Sequence, residues 1–420
     1  MKLLRLSLGV ALLLTSLAPT VAQRGPTASP GGARVETLSD EGTVWTAATW
    51  GYTSPKLLWD GQRAYAVNLV GEGPGKDVAR VMWRDTNGWH AGADLEPVYQ
   101  PATLLLDEAG HIHVFCTDRG QHGHHWISTQ PGDVTRFEKQ ELPFSRKFAY
   151  GYLGVGRQGS TLALAGLDRS YHMWVMVKPG RAEPWKKPVL VERAESRTPP
   201  VKAPLYPVVI PHGDEVDVVY SYCPDGSVHN TYNRVDLFRC NWRTGRVLRH
   251  ERVAEGPIGE VTYGLDALLG RDGTLYSLYM TGAYRYGDQR PDRAERQGLY
   301  CAVLRPGGVW ERRRVSRTTG TGQLWEGPDG RIHAFESTST HTRHFHSPDQ
   351  GRTWEEQAPA WDAPGFFLYV LKGNSGSPPD PTLRAVMSRI QTDVPKGMPG
   401  KYGLRYVEST LGTARMPAAK

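Results

Sequence analysis

Ser347-Pro348-Asp349-Gln350-Gly351-Arg352-Thr353-Trp354 reads S-x-D-x-G-x-T-W, and these eight residues decide the fold. Asp349 can accept hydrogen bonds from the amides of its own turn, Gly351 allows a tight bend, and Trp354 carries a large ring to bury. Such a turn joins two antiparallel strands and packs them against a neighbouring sheet. It argues architecture before chemistry.

Outward from this turn, a glycine-bearing bend recurs between apolar runs. The bends are Trp59-Asp60-Gly61, Asp107–Gly110, Arg157-Gln158-Gly159, Pro211-His212-Gly213, Arg271-Asp272-Gly273, Pro328-Asp329-Gly330 and Lys372-Gly373-Asn374. Their glycines are 49, 49, 54, 60, 57 and 43 residues apart, a period that belongs to four-stranded propeller blades. Each bend leads into a β-rich run: Tyr65–Val70, His111–Thr117, Thr161–Leu167, Glu215–Tyr222, Thr274–Thr281, Arg331–Ser337 and Leu383–Arg389. The pattern predicts an all-β, seven-bladed β-propeller with four antiparallel strands per blade, spanning residues 36–410. The last blade runs out after Tyr402–Glu408, one strand short. Arg34–Ser39 is spare and can fill the gap, closing the ring and covering an exposed edge.

Composition agrees. Gly (47) and Pro (31) are spread along the 420 residues, which suits many short strands and turns. Net charge is +7, a modest lean toward an anionic ligand. There is no basic tract or nucleic-acid motif. Lys2 and Arg5 precede the apolar run Leu6–Leu17, and Thr20-Val21-Ala22 offers a cleavage site before Gln23. Residues 1–22 therefore read as a signal peptide, 23–35 as a lead-in and 411–420 as a tail. The apolar run is too short to span a membrane. A secreted or periplasmic monomer is expected.

In a propeller, the turns between strands one and two, and between three and four, lie on the lower rim. The loops between strands two and three lie on the upper rim, where function is expected. That rim gathers His, Tyr and Arg: Arg119, His122, His124 and His125 in blade two; His172 in blade three; Tyr222 and His229–Arg234 in blade four; Tyr284 and Arg285 in blade five; His341, Arg343 and His344 in blade six. First strands open with Tyr150, Tyr152, Tyr206 and Tyr263.

The octapeptide and the blade pattern resemble the bacterial-neuraminidase-repeat (Asp-box) propellers along essentially the whole mature chain. Within that group the seven blades, the export signal and the His/Tyr/Arg rim look most like the propeller-type polysaccharide lyases, such as ulvan lyases. Sialidases share the box but have six blades and an Arg-Ile-Pro motif, which this sequence lacks. The resemblance implies β-elimination on a uronate-containing acidic polysaccharide. That reaction needs a cation to neutralise the C6 carboxylate, a base for the C5 proton and an acid for O4. The rim offers Arg234 or Arg239 as neutraliser, His125 or His172 as base and Tyr222 as acid. Arg119, His124, Tyr152, Tyr206, Tyr263, Tyr284 and Arg285 are expected to bind substrate. A sialidase-like hydrolase and a non-catalytic propeller that binds sugars or proteins are the alternatives.

Four cysteines remain: Cys116, Cys223, Cys240 and Cys301. Cys223, His229 and Cys240 suggest a structural zinc site, with His172 as a fourth ligand. A Cys223–Cys240 disulfide and free thiols are equally open readings. Cys116 and Cys301 sit in apolar strands and read as buried thiols. No organic cofactor is implied.

Overall fold

The computed structural model describes residues 32–42, 48–71, 76–118, 122–140, 142, 153–195, 202–223, 232–257, 260–283, 295–338, 340–390 and 402–411. The leader, 1–22, lies outside them. Seven four-stranded antiparallel sheets form the propeller. After β1 (Arg34–Ser39), blade one holds β2 (Leu57–Trp59), β3 (Ala64–Val70), β4 (Asp77–Asp85) and β5 (Gly88–Val98). Blade two holds β6 (Thr103–Leu106), β7 (Ile112–Thr117), β8 (Gly123–Ser128) and β9 (Phe137–Gln140). Blade three holds β10 (Gly154–Gln158), β11 (Thr161–Leu167), β12 (Met173–Lys178) and β13 (Val189–Glu192). Blade four holds β14 (Ala203–His212), β15 (Glu215–Cys223), β16 (Arg234–Asn241) and β17 (Arg246–Glu255). Blade five holds β18 (Val261–Leu269), β19 (Leu275–Ala283), β20 (Gly298–Leu304) and β21 (Glu311–Ser316). Blade six holds β22 (Thr321–Glu326), β23 (Ile332–Ser337), β24 (Thr342–Ser347) and β25 (Glu355–Gln357). Blade seven holds β26 (Phe366–Val370), β27 (Leu383–Ile390) and β28 (Tyr402–Ser409). Its fourth strand is β1, paired antiparallel with β28 from Arg34↔Glu408 onward. The N-terminal strand thus closes the ring, as the sequence predicts.

Burial follows from this geometry. Inner strands are covered on both faces by neighbouring blades, so Thr-Leu-Leu-Leu in β6 and the apolar run of β11 are almost wholly buried. Fourth strands form the perimeter, and Arg-Val-Leu-Arg-His-Glu-Arg in β17 is mostly solvated. The octapeptide turns from β24 into β25. Asp349 accepts the Thr353 amide (2.7 Å) and its hydroxyl (2.7 Å), and the Gly351 amide donates to Ser347 Oγ (2.6 Å). Gly351 has φ +88°, and a Cβ there would lie 2.6 Å from Val303 of blade five. Only glycine fits both the bend and the blade contact.

The lower end of the channel is filled by the connection from β26 to β27. Other first-to-second-strand turns are short; this one spans Leu371–Thr382 around a single 3₁₀ turn, Gly373–Ser375. Lys372 on this connection pairs with Asp266 of β18, and Asp266 also accepts the Leu324 amide of β22 (2.6 Å). Both side chains are almost inaccessible, 4% and 0%. Ser377 Oγ accepts the Trp59 amide (2.9 Å), tying the connection to blade one.

The cysteines do not come together as expected. Cys223 ends β15 beside Ala203, whereas Cys240 sits opposite Val216 near the other end of that strand. Val216 and Cys223 are seven residue steps apart along β15, roughly 23 Å of extended chain. They therefore form neither a disulfide nor one metal site, and the expected third ligand, His229, lies outside the described residues. All four cysteines are buried. Burial pushes Cys116 and Cys240 up to about 12, so they are weak nucleophiles. A thiol reagent should titrate four groups per denatured chain and almost none in the native protein. Two groups after denaturation without reductant would restore a disulfide.

Candidate functional site

The upper end of the channel opens into a cavity of about 400 Å³ lined by Trp50, Gly51, Tyr52, Tyr206, Tyr232, Tyr263, Thr319, Gly320, Thr321, Ser337, Thr338, Phe366 and Phe367. Tyr206, Tyr232 and Tyr263 form a triangle, with ring centroids 5.8, 5.4 and 4.9 Å apart. Opposite them, Phe367 lies 5.0 Å from Trp50 and stacks on Tyr52 at 5.8 Å. None of the described lining residues is charged.

Two local distortions build this wall. β14 slips register between Leu205 and Val208, and β26 slips between Phe366 and Tyr369. The bulged residues Tyr206 and Phe367 adopt φ of +55° and +53°. Left-handed backbone costs a bulky residue about 1–3 kcal/mol, and such strain clusters where a side chain must be aimed at a task. Both bulges turn an aromatic ring into the mouth.

Two expected substrate-binding residues, Tyr206 and Tyr263, are therefore in the cavity. Tyr232, placed on the upper rim by the sequence but given no role, is here too, and Trp50, Tyr52, Phe366, Phe367, Thr319, Thr321, Ser337 and Thr338 were not expected. A usable signal existed: aromatics at the openings of first strands, the rule that selected Tyr206 and Tyr263. Arg119, Tyr152, Tyr284 and Arg285 lie outside the described residues.

The expected catalytic set does not assemble at the mouth. His125 lies within β8 and points between blades two and three, 1% exposed, stacked on Phe115 at 4.2 Å. Burial and then the neighbouring His113 hold its imidazole neutral, far below the usual histidine range. His124 is also buried, with Nε2 on Asp118 Oδ2 at 3.1 Å. His172 is on the rim but acts as a backbone cap; its Nδ1 accepts the Ala194 amide (3.0 Å). Tyr222 is 1% exposed and packs with residues of blade three. Burial, then a hydrogen bond to Glu195, pushes its phenol pKa up.

The Arg234 guanidinium covers the Tyr222 ring at 3.7 Å and is held by Asp236 (2.8 Å) and Glu192 (3.6 Å). Arg239 forms a two-pronged pair with Asp217 (2.6 and 2.7 Å) near the lower end of β16, opposite that residue in register. Both arginines are committed to carboxylates. The physical reason is the strand they sit on: Arg234 and Arg239 have opposite parity on the third strand β16, so they lie on opposite faces of blade four, and neither lines the cavity.

No family model matches the chain, and no curated protein matches it. Solved structures do. A PL25 ulvan lyase bound to -[GlcA(1-4)Rha3S]- superposes with a TM-score of 0.61 at 14% identity, over 91% of this chain and 95% of that one. The same lyase in a second structure gives 0.60 at 14% identity, with the same coverage. The polysaccharide lyase Uly1 gives 0.56 at 8% identity, over 89% of this chain and 97% of that one. At these identities the likeness shows a shared fold: the chain is similar, as a propeller, to polysaccharide lyases along nearly its whole described length.

Proposed function

We propose that the upper cavity binds a sugar ring of an acidic polysaccharide and that the protein is an exported lyase acting by β-elimination. The observation that carries this reading is the strained aromatic mouth. Pyranose rings present C–H faces that pack on aromatic rings, while their hydroxyls meet phenol and threonine oxygens at the edges. A volume of about 400 Å³ suits one or two sugar units. The fold likeness to ulvan lyases supports the same direction.

The chemistry falls to the phenols. One tyrosinate takes the C5 proton, the electron pair forms the C4=C5 double bond, and the C4–O4 bond breaks as a second phenol protonates O4. Tyr206, Tyr232 and Tyr263 are the candidates for these two roles. Glycoside hydrolysis ordinarily uses two carboxylic acids flanking the bond, and no described lining residue is Asp or Glu. The same lining holds no arginine or lysine to neutralise the uronate. That favours one second reading, saccharide binding without turnover.

Ultraviolet absorbance of the unsaturated product, measured on several uronate polymers, separates the two. Tyr232→Phe and Tyr263→Phe keep the ring packing and remove only the hydroxyl, so each should lower kcat by about 10²-fold or more with little change in KM. Saccharide binding without absorbance gain would replace the lyase by the binding module. No binding at all would sink both readings.

A further inference from the structure

The opposite mouth of the channel holds a second cavity of about 600 Å³, between the β26–β27 connection and the lower ends of β10, β14, β18 and β22. Its lining is mixed, with an apolar wall that includes Ile210, Leu269 and Trp325 and, among its polar groups, the charged and amide side chains of Arg157, Arg271, Lys372, Glu326, Asp380 and Asn374. Most of these charges are matched. Lys372 holds Asp266, Asp380 holds Arg384 (2.5 Å), and Arg271 lies 3.8 Å from Glu326.

Arg157 is buried and only weakly matched. Its side chain is 5% exposed, yet its nearest carboxylate, Glu108, is 3.9 Å away and 62% exposed. Its closer partners are carbonyl oxygens, those of Leu106 and Gly376 (the latter 3.5 Å). A buried guanidinium without a close counter-ion is costly, and an oxyanion beside it restores the balance through charge-assisted hydrogen bonds. Asn374 Oδ1 is buried without a hydrogen-bond partner, so the cavity also lacks a donor. Gly376 has φ +84°, and a Cβ there would lie 2.7 Å from Arg157 Nη1. The glycine lets the connection close over the guanidinium.

We propose that this lower cavity is a binding site for an oxyanion that carries a neighbouring hydroxyl, the chemistry of a uronic acid or a sulfated sugar. Arg157 holds the oxyanion and Asn374 accepts the hydroxyl. The site is separate from the aromatic mouth and does not depend on its chemistry.

Thermal unfolding with glucuronate, inorganic sulfate, glucose or sodium chloride at matched ionic strength tests this. Glucuronate or sulfate should raise the midpoint saturably by about 2–4 °C, with glucose and chloride inactive. The tighter of the two anions identifies the group recognised. Arg157→Met should abolish the response. Asn374→Leu, which leaves the carbonyl contacts of Arg157 in place, should weaken the glucuronate response at least tenfold in apparent affinity. Tyr263→Ala, at the other mouth, should keep it. No saturable response in the wild type overturns the proposal. So does a response that survives Arg157→Met, or one that Tyr263→Ala removes.

Discussion

Asp266→Ala is expected to lower unfolding free energy by about 3–5 kcal/mol, the cost of leaving a buried charge without its partner. Asp266 accepts from both the Lys372 ammonium and the Leu324 amide. One carboxylate therefore joins the first strands of blades five and six to the blade-seven connection. Burial drives each member toward its neutral form, raising Asp266 and lowering Lys372. Their mutual attraction opposes that. The double variant Asp266→Leu/Lys372→Met removes both charges and should recover most of the loss. Denaturant midpoints at constant slope provide the measurement. A single variant that loses under about 1 kcal/mol would mean that the pair is solvated or dispensable.

Acid should unfold this protein through its histidines before its carboxylates. Blades two and six carry the same buried device. His113 Nδ1 meets His125 Nε2 at 2.9 Å, and His333 Nδ1 meets His344 Nε2 at 2.9 Å. In each, one ring donates and the other accepts, so both are neutral. Outer contacts set the direction. His113 Nε2 reaches Asp107 (3.4 Å) and is the proton-bearing nitrogen, so His125 donates to His113. His344 Nδ1 faces the Ala358 carbonyl (3.4 Å) and carries the proton there, so His333 donates to His344.

Burial, then the partner ring, lowers His333 to about 3, and burial lowers His344 to about 4. In the unfolded chain both titrate near the ordinary histidine value of 6.5. Above that value neither state is protonated and these groups give no pH dependence. As pH falls from 6.5 toward 4, the unfolded chain takes up protons that the fold refuses. Each such imidazole then costs about 1.4 kcal/mol per pH unit. The blade-six pair alone should remove on the order of 5 kcal/mol by pH 4. Replacing both rings, His333→Leu/His344→Leu, should flatten the stability profile in that window. An unchanged slope would show that the pair is not the acid-sensitive element.

The octapeptide, the glycine spacing and the spare Arg34–Ser39 segment carried the blade count and the ring closure. These are local signals. A turn needs its Asp and Gly within a few residues, and a strand buried on both faces needs a continuous apolar run. The pairing of His113 with His125 and of His333 with His344 emerges only in the structure. The candidate site was legible only where one rule sufficed, at Tyr206 and Tyr263. His125, Tyr222 and Arg234 belong to the right part of the chain but sit on second and third strands, whose side chains pack between blades.

Sequence by itself therefore determined the seven radial sheets, their strand order and the strand that closes them. Tertiary structure decided which side chains share a mouth. A one-residue bulge reverses the face of everything beside it, and the bulges at Tyr206 and Phe367 rest on left-handed backbone that packing imposes on residues that disfavour it. The weakly paired charge of Arg157 likewise arises only when blade three, blade two and the blade-seven connection converge, because no stretch of sequence records how close a carboxylate will come.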